Sequence, residues 1–417
     1  MAKYLIKGGN RLEGVIPIQG AKNAVLPIIA ASITTEGITT IENAPRLKDV
    51  DNMLKILNAL GVKAEQEGNR ITIDAREITS YEIPSQLAKE LRSSIFLLGP
   101  LLKRVGRAKV AYPGGCDIGL RPIDLHIKSL REMGVEIREE GGYVYCDAKK
   151  KEKCAITLDY PSVGATENAL MLATGISGTT TILNAATEPE IEDLERFINA
   201  MGGRVEGAGT PLIKVQGGIP LKGTSFTVMP DRIEAGTYLI GGLICGCDLL
   251  LEGAKEEHLS SLLSKFSKWD CKITTSSDKI HITSNGTRGE LGVVETKPYP
   301  GFPTDLQAEI CALASTSKGA TIIVENLFET RFKHLPELVK MGAKVKVKDR
   351  VAVISGVERL KGAEVYAKDL RGGASLVIAG LGALGTTIVR DVEYVERGYE
   401  NLIEKLRRVG GNIEKIY

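Results

Sequence analysis

The chain lacks the features that would place it in a membrane or on a nucleic acid. Its 417 residues include 54 basic and 52 acidic side chains, so a net charge of +2 supplies no field of one sign for RNA, DNA or anionic lipid. Its first residues lack the apolar core of a signal peptide, and its most apolar run, roughly Leu376 to Val389, is too short and glycine-rich to span a bilayer. We therefore expect a cytoplasmic protein with no nucleic-acid partner and no membrane insertion.

Cysteine and histidine are too few and too scattered for a metal centre or a disulfide framework. The seven cysteines are an odd number without a Cys-x-x-Cys pair, and none of the four histidines stands at metal-ligand spacing from two cysteines. We expect no metal, no cofactor and a reducing compartment. Cys245 and Cys247 lie in an apolar stretch and are expected to be packing residues.

What the chain does have is a sixfold repeat. A helix that ends at a cap residue and leads into a strand recurs at intervals of 73, 68, 68, 72 and 68 residues. The cap positions are Gly61, Gly134, Gly202, Asp270, Gly342 and Gly410. Glycine there supplies the left-handed residue that closes a helix, and we expect Asp270 to adopt the same conformation.

Each repeat carries short strands and two helices, which predicts an α/β fold. One helix is amphipathic, as at residues 259–266 in the fourth repeat, and the other is small and apolar on all sides, which is typical of a buried helix. The buried helices are expected at 24–31, 94–102, 169–174, 236–244, 307–314 and 373–384. Six such units are too many for one core, so we expect two domains of three repeats, divided near Leu221–Met229.

Polar residues stand at the start of every predicted buried helix. They are Lys22, Asn23, Arg92, Ser162, Thr166, Glu167, Asn168, Asp231, Arg232, Glu234, Asp305, Asp369 and Arg371. Serine and aspartate cap helices routinely, so part of this set has a purely structural explanation. Lys22, Arg92 and Arg371 have the wrong charge for that role, and helix N-termini favour anions. The pattern therefore indicates an anion site.

A glycine-rich stretch around Cys116 is the strongest local sign of chemistry. Residues 113–119 contain one proline and three glycines, so we expect the thiol on an exposed loop. Arg121 and Pro122 follow and precede a helix with apolar residues at helical spacing. From these residues alone, a reactive thiol and an idle cysteine on a flexible loop both stay open.

Seven stretches, in order along the whole chain, resemble the UDP-N-acetylglucosamine 1-carboxyvinyltransferase family, which belongs with EPSP synthase. They are Gly20-Ala-Lys-Asn-Ala, Pro113-Gly-Gly-Cys-Asp-Ile-Gly-Leu-Arg-Pro, Pro161-Ser-Val-Gly-Ala-Thr-Glu-Asn, Pro230-Asp-Arg-Ile-Glu-Ala-Gly-Thr, Gly301-Phe-Pro-Thr-Asp-Leu-Gln-Ala, Asp369-Leu-Arg-Gly-Gly-Ala and Arg397-Gly-Tyr-Glu. The resemblance implies an enolpyruvyl transferase fold: two inside-out α/β barrel domains, each of three βαβαββ-type repeats. It also implies a C-terminal catalytic domain of residues 1–21 plus 230–417, and an N-terminal domain of residues 22–229 that carries the Cys116 loop.

The resemblance further implies the reaction. The enolpyruvyl group of phosphoenolpyruvate passes to the 3′-hydroxyl of UDP-N-acetylglucosamine with release of phosphate, the first committed step of peptidoglycan synthesis. The two small molecules would be the partners of a monomer, without a cofactor. Cys116 would protonate the donor, form a pyruvate adduct and be the target of fosfomycin, and Asp305 would be the base. The other implied catalytic residues are Lys22, Arg397 and Asp369. The implied substrate-binding residues are Lys22, Asn23, Arg92, Arg121, Pro122, Ile123, Asp124, Leu125, Ser162, Val163, Gly164, Asp305, Leu327, Arg331, Arg371 and Arg397.

Two departures and three alternatives accompany this resemblance. Tyr160 stands where many relatives have lysine, which removes a charge that could contact the diphosphate, and Tyr394 stands where many have histidine. A shikimate-pathway transferase does not use a loop cysteine, and an RNA-end-processing protein needs a basic surface and a nucleophilic histidine. An inactive regulatory relative would not be expected to keep Lys22, Cys116, Asp305 and Arg397 together.

Overall fold

The computed structural model describes residues 2–112, 123–149, 152 and 154–417. Its helices are α1 Lys22–Ser32, α2 Lys48–Ala59, α3 Ser85–Glu90, α4 Leu98–Arg104, α5 Asp124–Glu132, α6 Val163–Ala173, α7 Pro189–Ala200, α8 Arg232–Cys245, α9 Ser260–Leu263, α10 Gln307–Ala314, α11 Leu335–Lys340, α12 Leu370–Gly382 and α13 Leu402–Arg408. Its strands are β1 Lys3–Lys7, β2 Leu12–Pro17, β3 Ile38–Glu42, β4 Lys63–Glu67, β5 Arg70–Asp74, β6 Arg107–Ala111, β7 Glu136–Glu140, β8 Tyr143–Asp147, β9 Ala155–Thr157, β10 Gly178–Leu183, β11 Arg204–Glu206, β12 Leu212–Gly217, β13 Ser225–Thr227, β14 Cys247–Glu252, β15 Cys271–Ser276, β16 Lys279–Ser284, β17 Val293–Glu295, β18 Ala320–Val324, β19 Lys344–Lys348, β20 Val351–Ser355, β21 Glu364–Tyr366, β22 Thr386–Arg390 and β23 Asn412–Ile416.

The described residues form two compact units. The first unit joins the residues up to Gln19 with Pro230–Tyr417, and the second unit comprises the described part of Gly20–Met229. Each unit has its own hydrophobic core. The two units are therefore described separately.

In the first unit, three four-stranded sheets surround three buried helices. The sheet orders are β21-β22-β1-β23, β15-β16-β14-β2 and β17-β18-β20-β19. Helices α8, α10 and α12 pack against one another. Glycine makes this close packing possible, because a side chain at Gly236 would lie 2.6 Å from a methyl group of Leu306, and one at Gly382 would lie 2.3 Å from a methyl group of Ile244.

The second unit repeats this arrangement with its own sheets. Their orders are β13-β3-β5-β4, β11-β12-β10-β9 and β6-β8-β7. Helices α1, α4 and α6 are apolar and buried, and α4 packs against α6. Helices α2, α5 and α7 bury one face only. Helices inside and sheets outside are what an inside-out α/β domain requires, so the predicted fold class is confirmed.

The helix caps follow the predicted repeat at five of six positions. Gly61, Gly134, Gly202, Gly342 and Gly410 have φ values of 91°, 85°, 92°, 95° and 95°. All five adopt the left-handed conformation that ends a helix.

The prediction for the fourth repeat is wrong. Asp270 does not have a positive φ, and the helix expected at 259–266 is broken into α9 and a 3-10 turn, Ser264–Phe266. No regular helix therefore ends at Asp270. The chain instead turns before β15, and a hydrogen bond from the Trp269 N–H to the Phe266 carbonyl (2.9 Å) stabilises this turn. A left-handed residue is therefore not needed.

Candidate active site

In the first unit, candidate side chains lie where buried helices begin. Asp305 is in the 3-10 turn Thr304–Leu306 that leads into α10. Asp369 is the N-cap of α12, where its Oδ1 accepts a hydrogen bond from the Gly372 N–H at 2.9 Å. Arg371 lies in the first turn of the same helix. Capping and helix geometry thus fix these side chains at one end of the buried helices.

The Asp305 carboxylate accepts hydrogen bonds from two buried guanidinium groups. Arg331 Nη2 donates to Asp305 Oδ1 at 2.8 Å, and Arg371 Nη2 donates to Asp305 Oδ2 at 3.3 Å. Both arginines are almost fully buried. Burial alone would lower the pKa of Arg331, but Asp305 and Asp369 outweigh it and raise that pKa above its ordinary value. The pKa of Arg371 is raised as well, against burial, by Tyr399, Asp305 and other neighbours. Both guanidinium groups therefore stay charged.

Several buried polar atoms around this cluster have no hydrogen-bond partner among the described residues. They are Arg331 Nε, Arg371 Nη1, Asp369 Oδ2 and both ring nitrogens of His334. Burial lowers the pKa of His334 to about 4, although Asp369 opposes the shift, so the ring is neutral at pH 7. Buried polar atoms are rarely left without partners, so the two guanidinium nitrogens fit an anionic ligand, and Asp369 Oδ2 fits a hydrogen-bond donor.

Glu325 holds the next loop beside Asp305, and sequence reasoning missed it. Its Oε2 accepts from the Thr304 hydroxyl at 3.0 Å, and its Oε1 accepts from the N–H groups of Leu327 and Phe328 at 2.9 and 3.1 Å. Leu327, a predicted contact residue, is thereby fixed relative to the turn that carries Asp305. Glu325 follows a strand rather than beginning a buried helix, so the helix-start pattern could not identify it.

Arg397 lies on a separate segment of the same unit. It ends the 3-10 turn Val392–Arg397 and is half-buried. Gln19 holds the residues that follow: its amide nitrogen donates to the Gly398 carbonyl at 3.1 Å, and its amide oxygen accepts from the Glu400 N–H at 2.7 Å. Tyr394, which stands where many relatives have histidine, is 39% exposed. The position therefore has room for either tyrosine or histidine.

In the second unit, Lys22 forms an ion pair at the start of α1. Its Nζ lies 3.0 Å from Asp49 Oδ2, and both side chains are largely buried. Asp49 is in the first turn of α2, where the helix dipole favours an acidic residue. Asn23 and Arg92 are half-buried. Asp49 was not among the predicted residues, because it begins an amphipathic helix rather than an apolar one.

The segment Ser162–Gly164 begins α6. Ser162 is the N-cap and accepts a hydrogen bond from the Ala165 N–H at 3.4 Å, and Val163 is half-buried. A side chain at Gly164 would lie 2.9 Å from His126 Cε1, so only glycine lets this turn approach α5 so closely.

The remaining predicted contacts of the second unit that the structure describes lie at the start of α5, where Ile123 is the N-cap. Ile123 is buried, Asp124 is exposed and Leu125 is half-buried. Tyr160, the other departure, is 44% exposed. Cys116, Arg121 and Pro122 lie outside the described residues. Within the described ranges, no group of His, Cys, Asp and Glu is arranged to hold a metal ion, and no helix has the length and apolarity needed to cross a membrane.

Comparison with known proteins assigns the class first. The family model described as EPSP synthase (3-phosphoshikimate 1-carboxyvinyltransferase) matches residues 6–406. The chain also superposes on the enolpyruvyl transferase NikO from Streptomyces tendae with a TM-score of 0.88 and 26% identity, covering 99% of this chain and 98% of that one. EPSP synthase from Acinetobacter baumannii, at 20% identity and a TM-score of 0.76 over both whole chains, shares the fold. The chain belongs to the EPSP synthase family.

Within this family, the chain is similar to proteins of one particular name. It is 50% identical over 416 residues to UDP-N-acetylglucosamine 1-carboxyvinyltransferase 2 of Caldanaerobacter subterraneus subsp. tengcongensis, covering 100% of both chains. It is 45% identical over 416 residues to UDP-N-acetylglucosamine 1-carboxyvinyltransferase 1 of Carboxydothermus hydrogenoformans, covering 100% of this chain and 99% of that one. Identity of this level extends over the full length of both units.

Proposed function

We propose that the chain transfers the enolpyruvyl group of phosphoenolpyruvate to the 3′-hydroxyl of UDP-N-acetylglucosamine and releases phosphate. The observation that carries this proposal is the identity of 44–50% over nearly the whole chain with proteins named for that reaction. The proposed place of the reaction is the cytoplasm, as the first committed step of peptidoglycan synthesis, and the proposed active form is a monomer.

Asp305 is the proposed base for the sugar hydroxyl. C3 of phosphoenolpyruvate is protonated and the hydroxyl oxygen adds to C2, which gives a tetrahedral adduct with a C3 methyl group. Phosphate then leaves C2 as a proton leaves that methyl group, which restores the double bond as the enol ether. Two buried guanidinium groups fix the Asp305 carboxylate at 2.8 and 3.3 Å, so it needs little rearrangement to accept a proton. Asp369, whose Oδ2 has no partner in the described part of the chain, is the proposed second acid–base group in this unit.

The cationic residues are the proposed binders of the anionic donor. Arg371 and Arg331 retain N–H groups without partners among the described residues, and buried guanidinium groups bind carboxylate and phosphate with defined geometry. Lys22, Arg121 and Arg397 are the proposed phosphate contacts, and they would stabilise charge that develops as phosphate leaves. Cys116 is the proposed proton donor, since a thiol with an ordinary pKa of about 8.5 is mostly protonated at neutral pH.

The nucleotide sugar is assigned to a further set of predicted residues, which shares Arg121 and Asp305 with the roles above. The proposed contacts are Asn23, Arg92, Arg121, Pro122, Ile123, Asp124, Leu125, Ser162, Val163, Gly164, Asp305 and Leu327. The start of α6 supports this assignment, because N–H groups at a helix N-terminus suit the diphosphate. Tyr160, which replaces a lysine found in many relatives, would contribute no charge to that contact.

A phosphate-release assay tests the proposal. We expect phosphate to be released when phosphoenolpyruvate and UDP-N-acetylglucosamine are both present, and not when either is omitted. Asp305→Asn should reduce kcat by about 100-fold or more, because an amide cannot accept the proton. Release with shikimate 3-phosphate but not with the nucleotide sugar would overturn the assignment in favour of the shikimate-pathway reaction.

A further inference from the structure

Tyr399 lies at the centre of a buried network that the proposed reaction leaves unexplained. It is 2% exposed, and its hydroxyl oxygen is 3.1 Å from Glu309 Oε1 and 2.8 Å from Thr237 Oγ1. Thr237 is on α8 and Glu309 is on α10, so this one hydroxyl connects two buried helices to the segment that follows Arg397. A side chain tied to three elements has very little freedom to move.

The hydrogen bonds of the Tyr399 hydroxyl can form whether or not Glu309 carries a proton, although Glu309 Oε2 has no partner among the described residues. The Thr237 hydroxyl is 2.8 Å from the Ile233 carbonyl, to which it can donate. If it does so, Tyr399 donates to Thr237 and a protonated Glu309 donates to Tyr399. If Glu309 is ionised, Tyr399 donates to it and Thr237 donates to Tyr399. Burial raises the pKa of Glu309 to about 8, so the protonated arrangement predominates at neutral pH. Tyr399 is held in both cases.

The ring of Tyr399 supports Arg371. The guanidinium carbon of Arg371 lies 5.4 Å from the centroid of the ring, within the range of a cation–π contact. The same guanidinium donates to Asp305 through Nη2, while Nη1 has no partner among the described residues. The contact with the ring and the hydrogen bond to Asp305 together restrict the orientation of this planar group, and so the direction of both Nη atoms.

The backbone around Tyr399 is fixed as well. Gln19 holds Gly398 and Glu400, the residues on either side, at 3.1 and 2.7 Å. Gln19 is itself held, because its N–H donates to Glu234 Oε2 at 2.8 Å. The ring therefore cannot shift with a flexible loop. Arg397 is two residues earlier and belongs to the same restrained segment.

We propose that Tyr399 is a positioning residue, which Thr237 and Glu309 hold so that its ring directs the Arg371 guanidinium toward Asp305 and toward the anionic donor. This inference rests on the proposed function of Arg371 and Asp305. It predicts a specific defect: loss of the ring should weaken use of phosphoenolpyruvate, since the donor would meet Arg371 Nη1. The nucleotide sugar should be almost unaffected, because its proposed contact Asp305 keeps the hydrogen bond from Arg331.

Tyr238 provides a matched control. It is 1% exposed, lies in the same unit, and its hydroxyl donates to another buried glutamate, Glu234, at 3.2 Å. Its replacement leaves Glu234 hydrogen-bonded to Lys405 and to the Gln19 N–H, so the anchor of the Tyr399 backbone and the contact of the Tyr399 ring with Arg371 remain. Phe and Leu variants at the two positions therefore remove equivalent groups and differ in the contact with Arg371.

The test measures phosphate release by the full chain, with each substrate varied in turn, beside thermal unfolding. Tyr399→Leu should raise the KM for phosphoenolpyruvate about tenfold and change the KM for the nucleotide sugar less than about twofold. Tyr399→Phe keeps the ring and should recover most of the loss. The Tyr238 variants should lose comparable thermal stability with both KM values unchanged. Adding Tyr399→Leu to Arg371→Lys should raise the KM no further, because the planar group is already gone.

Replacement of Thr237 supplies a milder variant should Tyr399→Leu fail to fold. Thr237→Val removes the anchor of the Tyr399 hydroxyl but keeps the shape, and it should raise the KM for phosphoenolpyruvate about threefold, whereas Thr237→Ser should restore the wild-type value. Equal KM values in the Tyr399 and Tyr238 pairs, or a Phe variant as impaired as Leu, would overturn the inference alone. A wild type that releases no phosphate would overturn the proposed function and the inference with it.

Discussion

At the scale of single residues, burial raises the thiol pKa of six of the cysteines and so lowers their reactivity. It raises the pKa of Cys146, Cys245 and Cys247 to about 12 in each case. It also raises the pKa of the remaining three described cysteines, Cys154, Cys271 and Cys311. The thiolate is the nucleophilic form, so these six side chains are poor targets for an electrophile. Only Cys116 stands in the Pro-Gly-Gly-Cys-Asp motif that resembles a catalytic one.

An epoxide that carries a phosphonate, such as fosfomycin, should therefore alkylate Cys116 alone among the seven cysteines. We expect mass spectrometry of the treated protein to show one adduct, on the peptide that contains Cys116, and to show it sooner when the nucleotide sugar is present. An adduct on any of the other six cysteines would contradict this prediction.

Variants at the same position test its role as an acid. Cys116→Asp should retain turnover and resist the epoxide, because a carboxyl group whose pKa is raised in a dehydrated site can donate a proton. Cys116→Ser should lose nearly all turnover, since a hydroxyl is far too weak an acid. The readout is phosphate release by both variants, and a fully active Ser variant would remove Cys116 from the mechanism.

At the scale of helices and strands, the sequence predicts five of the six buried helices, because small apolar residues recur with the repeat. The prediction for 94–102 is wrong in its first half, since Arg92–Leu97 form a 3-10 helix and the α-helix covers only Leu98–Arg104. The helix starts also led to Asp305, Asp369 and Arg371, since a charge at the start of a buried helix is costly without a function. The broken helix of the fourth repeat was not predictable, because its apolar spacing is helical although its backbone is not. Glu325 and Tyr399 were missed because their roles depend on contacts between elements that are distant in sequence.

Helix α6 carries a buried acid that should make stability depend on pH. Glu167 is fully buried, neither carboxylate oxygen has a partner among the described residues, and burial, followed by Glu190 and Glu188, raises its pKa well above 4.5. Above about pH 4.5 the unfolded chain releases this proton while the folded chain keeps it. The free energy of unfolding therefore decreases as pH rises, by up to about 1.4 kcal/mol per pH unit from this residue.

Glu167→Gln should remove this dependence. We expect urea denaturation to show the variant close to wild type at pH 4 and more stable by roughly 2 kcal/mol at pH 7, since the amide has no proton to bind. Glu67→Gln, at an exposed position on β4, is the control and should give a curve parallel to that of the wild type. A Glu167→Gln curve that is also parallel would mean that Glu167 is not held neutral.

At the scale of the whole molecule, strands from the two ends of the chain pair within one unit. Strand β1 lies between β22 and β23, with Lys3 opposite both Arg390 and Ile416. Strand β2 pairs in parallel with β14. The period of about 70 residues carries no information about such pairing, because it describes neighbouring repeats and not the strands at the two ends.

The first unit should therefore fold without the second when its two pieces are joined. The Asp231 N–H donates to the Gln19 carbonyl at 2.8 Å, so a linker of about four glycines can connect residue 19 to residue 230. Residues 230–417 alone lose the inner strand of one sheet and the buried side chains Tyr4, Ile6, Leu12 and Ile16. Each is worth about 2 kcal/mol, so their sum is comparable to the whole stability of a domain.

We expect the fusion of residues 1–19 to residues 230–417 to unfold cooperatively in urea and residues 230–417 alone to show no transition. Trp269 reports on this unit, because it is the single tryptophan of the chain and is 7% exposed. Addition of a peptide of residues 1–19 to the shorter fragment should restore the transition in proportion to peptide concentration, because binding stabilises only the folded state. Cooperative unfolding of the shorter fragment without the peptide would mean that the C-terminal repeats contain enough core by themselves and that β1 and β2 merely cover it.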